Sequence, residues 1–138
     1  MRDIRKLIDR PINFKLYAGR NIARDFPKDE NGFTNCVVLV CWALEINRLD
    51  YPDKFIDLAI ERIPHFDKPE LNSIIAYPST TRLRGYTYVP GCCALVSEIR
   101  NGQVTKIIGI HPRYGEIIFE GPPDIFENKP VVYLNAGQ

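Results

Sequence analysis

The chain has 138 residues, 45% apolar and 25% charged, with 18 basic residues against 17 acidic and a formal charge of +1. That size and apolar share suit one domain whose core needs neither disulfide nor metal staples, and the balanced charge argues against a global field for nucleic acid or an anionic membrane. No apolar stretch approaches the ~20 residues of a membrane helix; the longest, Cys36 to Leu44, has nine.

Basic charge is concentrated at the start. The first 24 residues carry Arg2, Arg5, Lys6, Arg10, Lys15, Arg20 and Arg24 against Asp3 and Asp9. The expected role of this arm is a solvated face, with contact to phosphate or a partner protein as the alternative. Met1-Arg2-Asp3 does not lead into a signal-peptide core, and the four cysteines lack the recurring spacing of a disulfide scaffold. The expected location is the cytoplasm, or delivery by a non-classical secretion route.

In chain order, Ile4, Leu7 and Ile8 have helical spacing over residues 2–9, and Pro11 ends that element. A second short helix is expected over residues 14–26, then a loop at 27–32. Thr34 or Asn35 is placed to cap a helix running to about Arg48. That helix is apolar nearly all round, through Val37, Val38, Leu39, Val40, Trp42, Ala43, Leu44, Ile46 and Leu49, which marks a buried helix. Asp50 is placed to cap the next helix, with Phe55, Ile56, Leu58, Ala59, Ile60 and Ile63 as its inward side and Pro64 as its stop. Residues 69–76 are expected to add one or two helical turns.

After Pro78 the texture changes to short segments rich in Tyr, Val and Ile. Residues 92–100 and 103–111 flank Asn101-Gly102, the strongest short-range hairpin signal. A two-residue turn there makes the numbers of facing residues sum to 203. Ile99 then meets Val104, Leu95 meets Ile108 and Cys93 meets Ile110 on one face. Val96 meets Ile107, Ala94 meets Gly109 and Cys92 meets His111 on the other. Further strands are expected at Glu116 to Glu120 and Val131 to Leu134. The expected fold class is α+β, a single domain over 1–138. Residues 1–76 are mainly helical, with a buried central helix, and pack on a four- or five-stranded antiparallel sheet within 84–135.

The chemistry suggested first is that of a thiol nucleophile. Cys36 stands where the polar turn Asn31-Gly32-Phe33-Thr34-Asn35 becomes the apolar helix. Unpaired N–H groups and the positive end of the helix dipole favour thiolate at that point. His111, at a strand end beside Pro112, is the candidate base. Glu120 is the candidate group to orient its ring, with Asp124 and Asn128 as alternatives. The bland counterpart is a small apolar cysteine that simply packs. Cys92, Cys93 and His111, with or without Cys36, are a candidate metal or redox set, although adjacent strand cysteines point to opposite faces. Cys92 with His111 is a further candidate dyad. A non-catalytic binding module (an immunity protein, adaptor or inhibitor) is the alternative function. Tyr77, Tyr86, Tyr88 and Tyr114 with Arg82, Arg84 and Arg113 would be its interface.

The order of helix-borne cysteine and sheet-borne histidine resembles the papain-like cysteine hydrolase superfamily in its compact bacterial versions, the NlpC-type peptidases and papain-fold toxin domains. Gly32-Phe33-Thr34-Asn35-Cys36-Val37 is similar to the Asn-Cys helix start of such toxins. Cys41-Trp42-Ala43-Leu44 is similar to the Cys-Trp-Ala-Phe run of the papain family. Val89-Pro90-Gly91 before Ala94-Leu95-Val96 is similar to the Pro-Gly-Asp-Leu-Val strand of NlpC-type enzymes. The resemblance covers roughly residues 32 to 120. It implies amide or peptide hydrolysis through an acyl-enzyme on a peptide or protein substrate, without a cofactor, in a bacterial effector or phage-associated enzyme. The papain-type match would make Cys41 the nucleophile. That residue lies more than a turn inside the helix, where desolvation raises a thiol pKa, so Cys36 is preferred. The NlpC-type pattern would place histidine at Lys106 or Ile107, several residues ahead of His111.

Overall fold

Cys36 begins α1 (Cys36–Leu44), whose residues Val38 to Ala43 are all buried. With no polar side chain in its nine residues, α1 has no face to offer water and so lies within the core. The structure, a computed structural model, describes residues 1–10, 36–47, 50, 55–82, 87–115 and 117–137. The helix expected over 14–26 and the capping residues Thr34 and Asn35 lie outside them.

The helix stops earlier than the apolar pattern suggests, at Leu44. Glu45 takes a left-handed conformation (φ 58°). Its N–H donates to Trp42 O, and the Ile46 N–H donates to Cys41 O at 2.9 Å. This pair of bonds is the Schellman arrangement, with glutamate where glycine is usual. The chain start packs over it. The Arg2 N–H donates to Ala43 O at 2.7 Å, its guanidinium sits 5.0 Å from the Trp42 ring, and Nε pairs with Glu45. Residues 2–9 form only a 3₁₀ turn, Arg5–Leu7, in place of the expected helix, and Leu7 is fully buried. Arg5 pairs with Glu120 at 3.1 Å and donates to Ser97 O, so two cations of the basic arm have partners within the chain.

The second helix, α2 (Phe55–Arg62), buries Phe55 and Ala59. The strands are β1 (His65–Phe66), β2 (Ile74–Tyr77), β3 (Thr80–Arg82), β4 (Thr87–Val89), β5 (Cys92–Arg100), β6 (Gln103–Gly109), β7 (Phe119–Gly121) and β8 (Val132–Leu134). The fold is α+β. Among the described residues its sheet has six strands, not four or five, all antiparallel and ordered β1-β8-β2-β5-β6-β7, with β3 and β4 as a separate ribbon. The difference arises before residue 78. Residues 74–77 are a central strand, not the helical turns expected over 69–76. The β-branched pair Ile74-Ile75 suits a pleated surface covered on both sides.

Four strands contribute one row to the α1 side of the sheet: Leu134 faces Ile74, Ile74 faces Leu95, and Leu95 faces Ile108. All four are buried against α1 and α2. On the other side Ile75, Cys92, Ala94, Val96, Ile107 and Phe119 pack with Ile125 and Phe126 from the 3₁₀ turn Asp124–Phe126.

Asn101 (φ 53°) and Gly102 (φ 76°) both take positive φ, as a type I′ turn requires. Arg100 faces Gln103, Leu95 faces Ile108 and Val96 faces Ile107, the register implied by that turn. An irregularity at Ser97–Glu98 shifts the ladder locally. Ile99 and Val104 consequently pack with Ala94, Val96 and Ile107. They do not share the Leu95–Ile108 face on which uninterrupted alternation placed them.

Candidate active site

The first residue of α1 meets the first two of β5. Cys36 packs against the buried groups of both sheet faces, the one that holds Cys93 and the one that holds Cys92, while the Cys92 thiol donates to the Cys93 carbonyl oxygen at 3.9 Å. All three residues are reduced thiols. Cys36 is half-buried. Cys92 and Cys93 point to opposite sides of β5, and Cys36 lies across the end of that strand.

The neighbours of Cys36 at the start of β5 lower its pKa well below the usual thiol value. The Cys92 thiol is the largest cause and the Cys93 thiol the next, with burial opposing them. The Cys92 and Cys93 pKa values are correspondingly raised, first by the neighbouring Cys36 and then by burial. These opposite directions favour negative charge on Cys36 over Cys92 and Cys93. A helix N-terminus adds to this in the same direction.

Three residues of surrounding elements complete the site. Tyr77 faces Cys92 across the β2–β5 ladder, and its phenol pKa is raised by burial and then by the Cys92 and Cys36 sulfurs. Gly91 lets the strand start approach closely, since a Cβ there would lie 2.4 Å from Tyr77 O. His111 follows β6 by two residues. Its pKa is lowered, by burial first, while the negative Cys36 sulfur pulls it up and Arg113 pulls it down. The ring therefore lies within electrostatic range of the thiolate. Nδ1 accepts a hydrogen bond from the Arg113 N–H at 3.1 Å, and the Tyr114 ring stands edge-on at 6.3 Å.

The residues expected from the sequence are thus distributed unevenly. Cys36, at the start of α1, and His111, two residues beyond β6, are 75 positions apart in sequence, and the charge of Cys36 acts on the His111 ring. Glu120 faces Ile108 on β7 and its carboxylate binds Arg5. Cys92 pairs with Tyr77, and the β5–β6 pairing begins only at Leu95 with Ile108, so Cys92 and His111 are not ladder partners. Among the described residues, no group of three or more His, Cys, Asp or Glu side chains is arranged to hold a metal ion. Cys41 lies wholly inside the core, as expected for a helix-interior thiol. Two tyrosines of the expected interface are packed within the fold, Tyr77 edge-on to Phe126 and Tyr114 stacked on Phe119 with centroids 4.0 Å apart.

Sequence reasoning grouped the cysteines but missed Tyr77 as the partner of Cys92 across the β2–β5 ladder. The available signal was the Ile74-Ile75-Ala76-Tyr77 run, which as a strand would have set Tyr77 beside Cys92. Among the described residues no helix is long and apolar enough to cross a membrane. Compared with protein-family models, with curated proteins and with solved structures, the chain matches none of them.

Proposed function

We propose that this chain is a cysteine hydrolase of the papain-like kind, cleaving an amide or peptide bond through an acyl-enzyme on Cys36. The observation that carries the reading is the Cys36 sulfur itself. It is half-buried at a helix start, its pKa is lowered well below the usual thiol value by its neighbours Cys92 and Cys93, and its negative charge acts on the His111 imidazole. Structural cysteines are inert because burial keeps them protonated; this one is poised for attack.

In the reaction the thiolate attacks the carbonyl carbon, and the first-turn N–H groups of α1 offer donors to the oxygen that becomes negative. The proton that leaves Cys36 as the thiolate forms is taken up by His111; collapse then breaks the C–N bond, and the imidazolium gives that proton to the leaving amine. Water, losing a proton to the same ring, then cleaves the thioester. With Glu120 bound to Arg5, the orienting role falls to the turn Pro112–Tyr114, whose Arg113 N–H holds Nδ1. Accepting a proton at Nδ1 requires the ring to release that bond. Alkylation with iodoacetamide at neutral pH should modify Cys36 well before the other three cysteines, and Cys36→Ala should abolish turnover of a fluorogenic peptide library. Uniformly slow labelling of all four would end the reading.

A second reading, a protein-binding module, is favoured by an open groove of about 570 Å³. Its walls include Ile75, Val104, Asp124, Phe126 and Tyr133, on the sheet face away from α1. In that case Cys36→Ala would leave partner binding unchanged.

A further inference from the structure

We propose that Cys36 and Cys92 form a peroxide-sensitive dithiol, in which oxidation at Cys36 is resolved by Cys92 as an intramolecular disulfide. The inference rests on geometry: Cys36, the first residue of α1, packs against the cluster that holds Cys92 as well as the one that holds Cys93, and it holds whether or not Cys36 acts on an acyl substrate.

The chemistry balances with hydrogen peroxide as the only oxidant. The Cys36 thiolate attacks one peroxide oxygen and the O–O bond breaks. Cys36 becomes the sulfenic acid, and the departing hydroxide takes a proton to become water. The Cys92 thiol then attacks the Cys36 sulfur; an S–S bond forms, the S–O bond breaks, and the hydroxyl leaves with the thiol proton as a second water. Two sulfurs have lost two electrons and one peroxide has gained them. A dithiol reductant reverses the change by exchange at the disulfide.

The arrangement also orders the two steps. Negative charge on the Cys36 sulfur opposes a second negative charge at Cys92, so Cys92 stays a thiol. The sulfenic acid is neutral. Its formation removes that restraint and frees Cys92 to attack at the moment an electrophile stands beside it.

Cys92 is the resolving residue and Cys93 is not. A Cys92–Cys93 bond is excluded because neighbours on a strand point to opposite faces. Both thiols are buried, Cys93 at 1% and Cys92 at 5% exposed, but Cys93 packs with Leu95 and Ile108 beneath α1, whereas Cys92 is the first residue of β5 and lies on the opposite face, against which Cys36 also packs. A disulfide there demands a Cα separation of roughly 4.4–6.8 Å.

The test uses the whole chain at pH 7, treated with hydrogen peroxide, blocked with N-ethylmaleimide, digested without reduction and measured by mass spectrometry. The expected product is a Cys36–Cys92 cross-linked peptide two hydrogens lighter than its parts, lost on treatment with dithiothreitol. In Cys92→Ser the sulfenic acid at Cys36 should persist and be trapped by dimedone, while Cys93→Ser should still cross-link. Oxidation of Cys36 to sulfinic acid without a cross-link, a bond to Cys93, or an unoxidised Cys36 would each overturn the proposal. The wild-type measurement alone decides these outcomes if a variant fails to fold. A chain that cross-links but hydrolyses no peptide supports this inference while defeating the hydrolase reading, and the reverse result does the opposite.

Discussion

The backbone N–H of Arg113 donates to Nδ1 of His111 at 3.1 Å, which makes Nδ1 an acceptor and assigns the neutral ring's proton to Nε2. Protonating the ring means giving up that bond in a half-buried site, and burial has already lowered the pKa.

Acid should therefore weaken the fold through this residue. The folded ring takes up its proton at lower pH than the unfolded chain, where histidine titrates near ~6.5. Between the two values the unfolded state holds more protons, so stability rises with pH through that window and declines as pH falls below about 6.5. Urea midpoints measured from pH 5 to 7 should drop more steeply in the wild type than in His111→Asn. Parallel curves would remove His111 from the account.

Alkylation of Cys36 should follow a titration with its midpoint below the ordinary thiol value of about 8.5. Cys92→Ala deletes the neighbour that lowers its pKa most, so it should move that midpoint upward, and further than Cys93→Ala does. Rates with iodoacetamide between pH 5 and 10 check both statements. An unmoved midpoint in Cys92→Ala would contradict them.

Gly91→Ala should destabilise the chain by about 1–3 kcal/mol, the usual cost of forcing an extra carbon into a packed site. The new Cβ would meet the Tyr77 carbonyl oxygen, a backbone atom in the β2–β5 pairing that cannot swing aside. Chemical denaturation reads the loss directly.

Leu39→Ala should cost about 2–5 kcal/mol. Leu39 is fully buried in the middle of α1, against the core that α1 shares with the sheet. A shift in denaturation midpoint smaller than that of Gly91→Ala would mean α1 is not the centre of this core.

Much of this arrangement was legible because local rules act without competition in places. Asn101-Gly102 fixes its own turn, and the turn fixes a register, so the pairing of Leu95 with Ile108 followed from two residues. The unbroken apolar run fixed α1 as buried. Other elements depend on partners distant in sequence. Ile74 to Tyr77 become a strand because β5 and β8 flank them, and four residues alone do not distinguish a buried strand from a helical turn. The Ser97–Glu98 irregularity carries no mark in the sequence, so Ile99 and Val104 were assigned to the wrong face. In the site, helix-start placement singled out Cys36. That it would pack against the groups of both Cys92 and Cys93 required knowing that α1 crosses the end of β5. Glu120 was a reasonable choice by separation from His111, yet Arg5 at the far end of the chain binds it first.

The sheet's outer members, β1 and β7, are two and three residues long. Each displays so few open backbone groups that an incoming extended segment gains little by docking there. The open backbone of this sheet is found instead along Gln103 to Lys106 of β6, which run past the β7 pairing at Ile107 to Gly109.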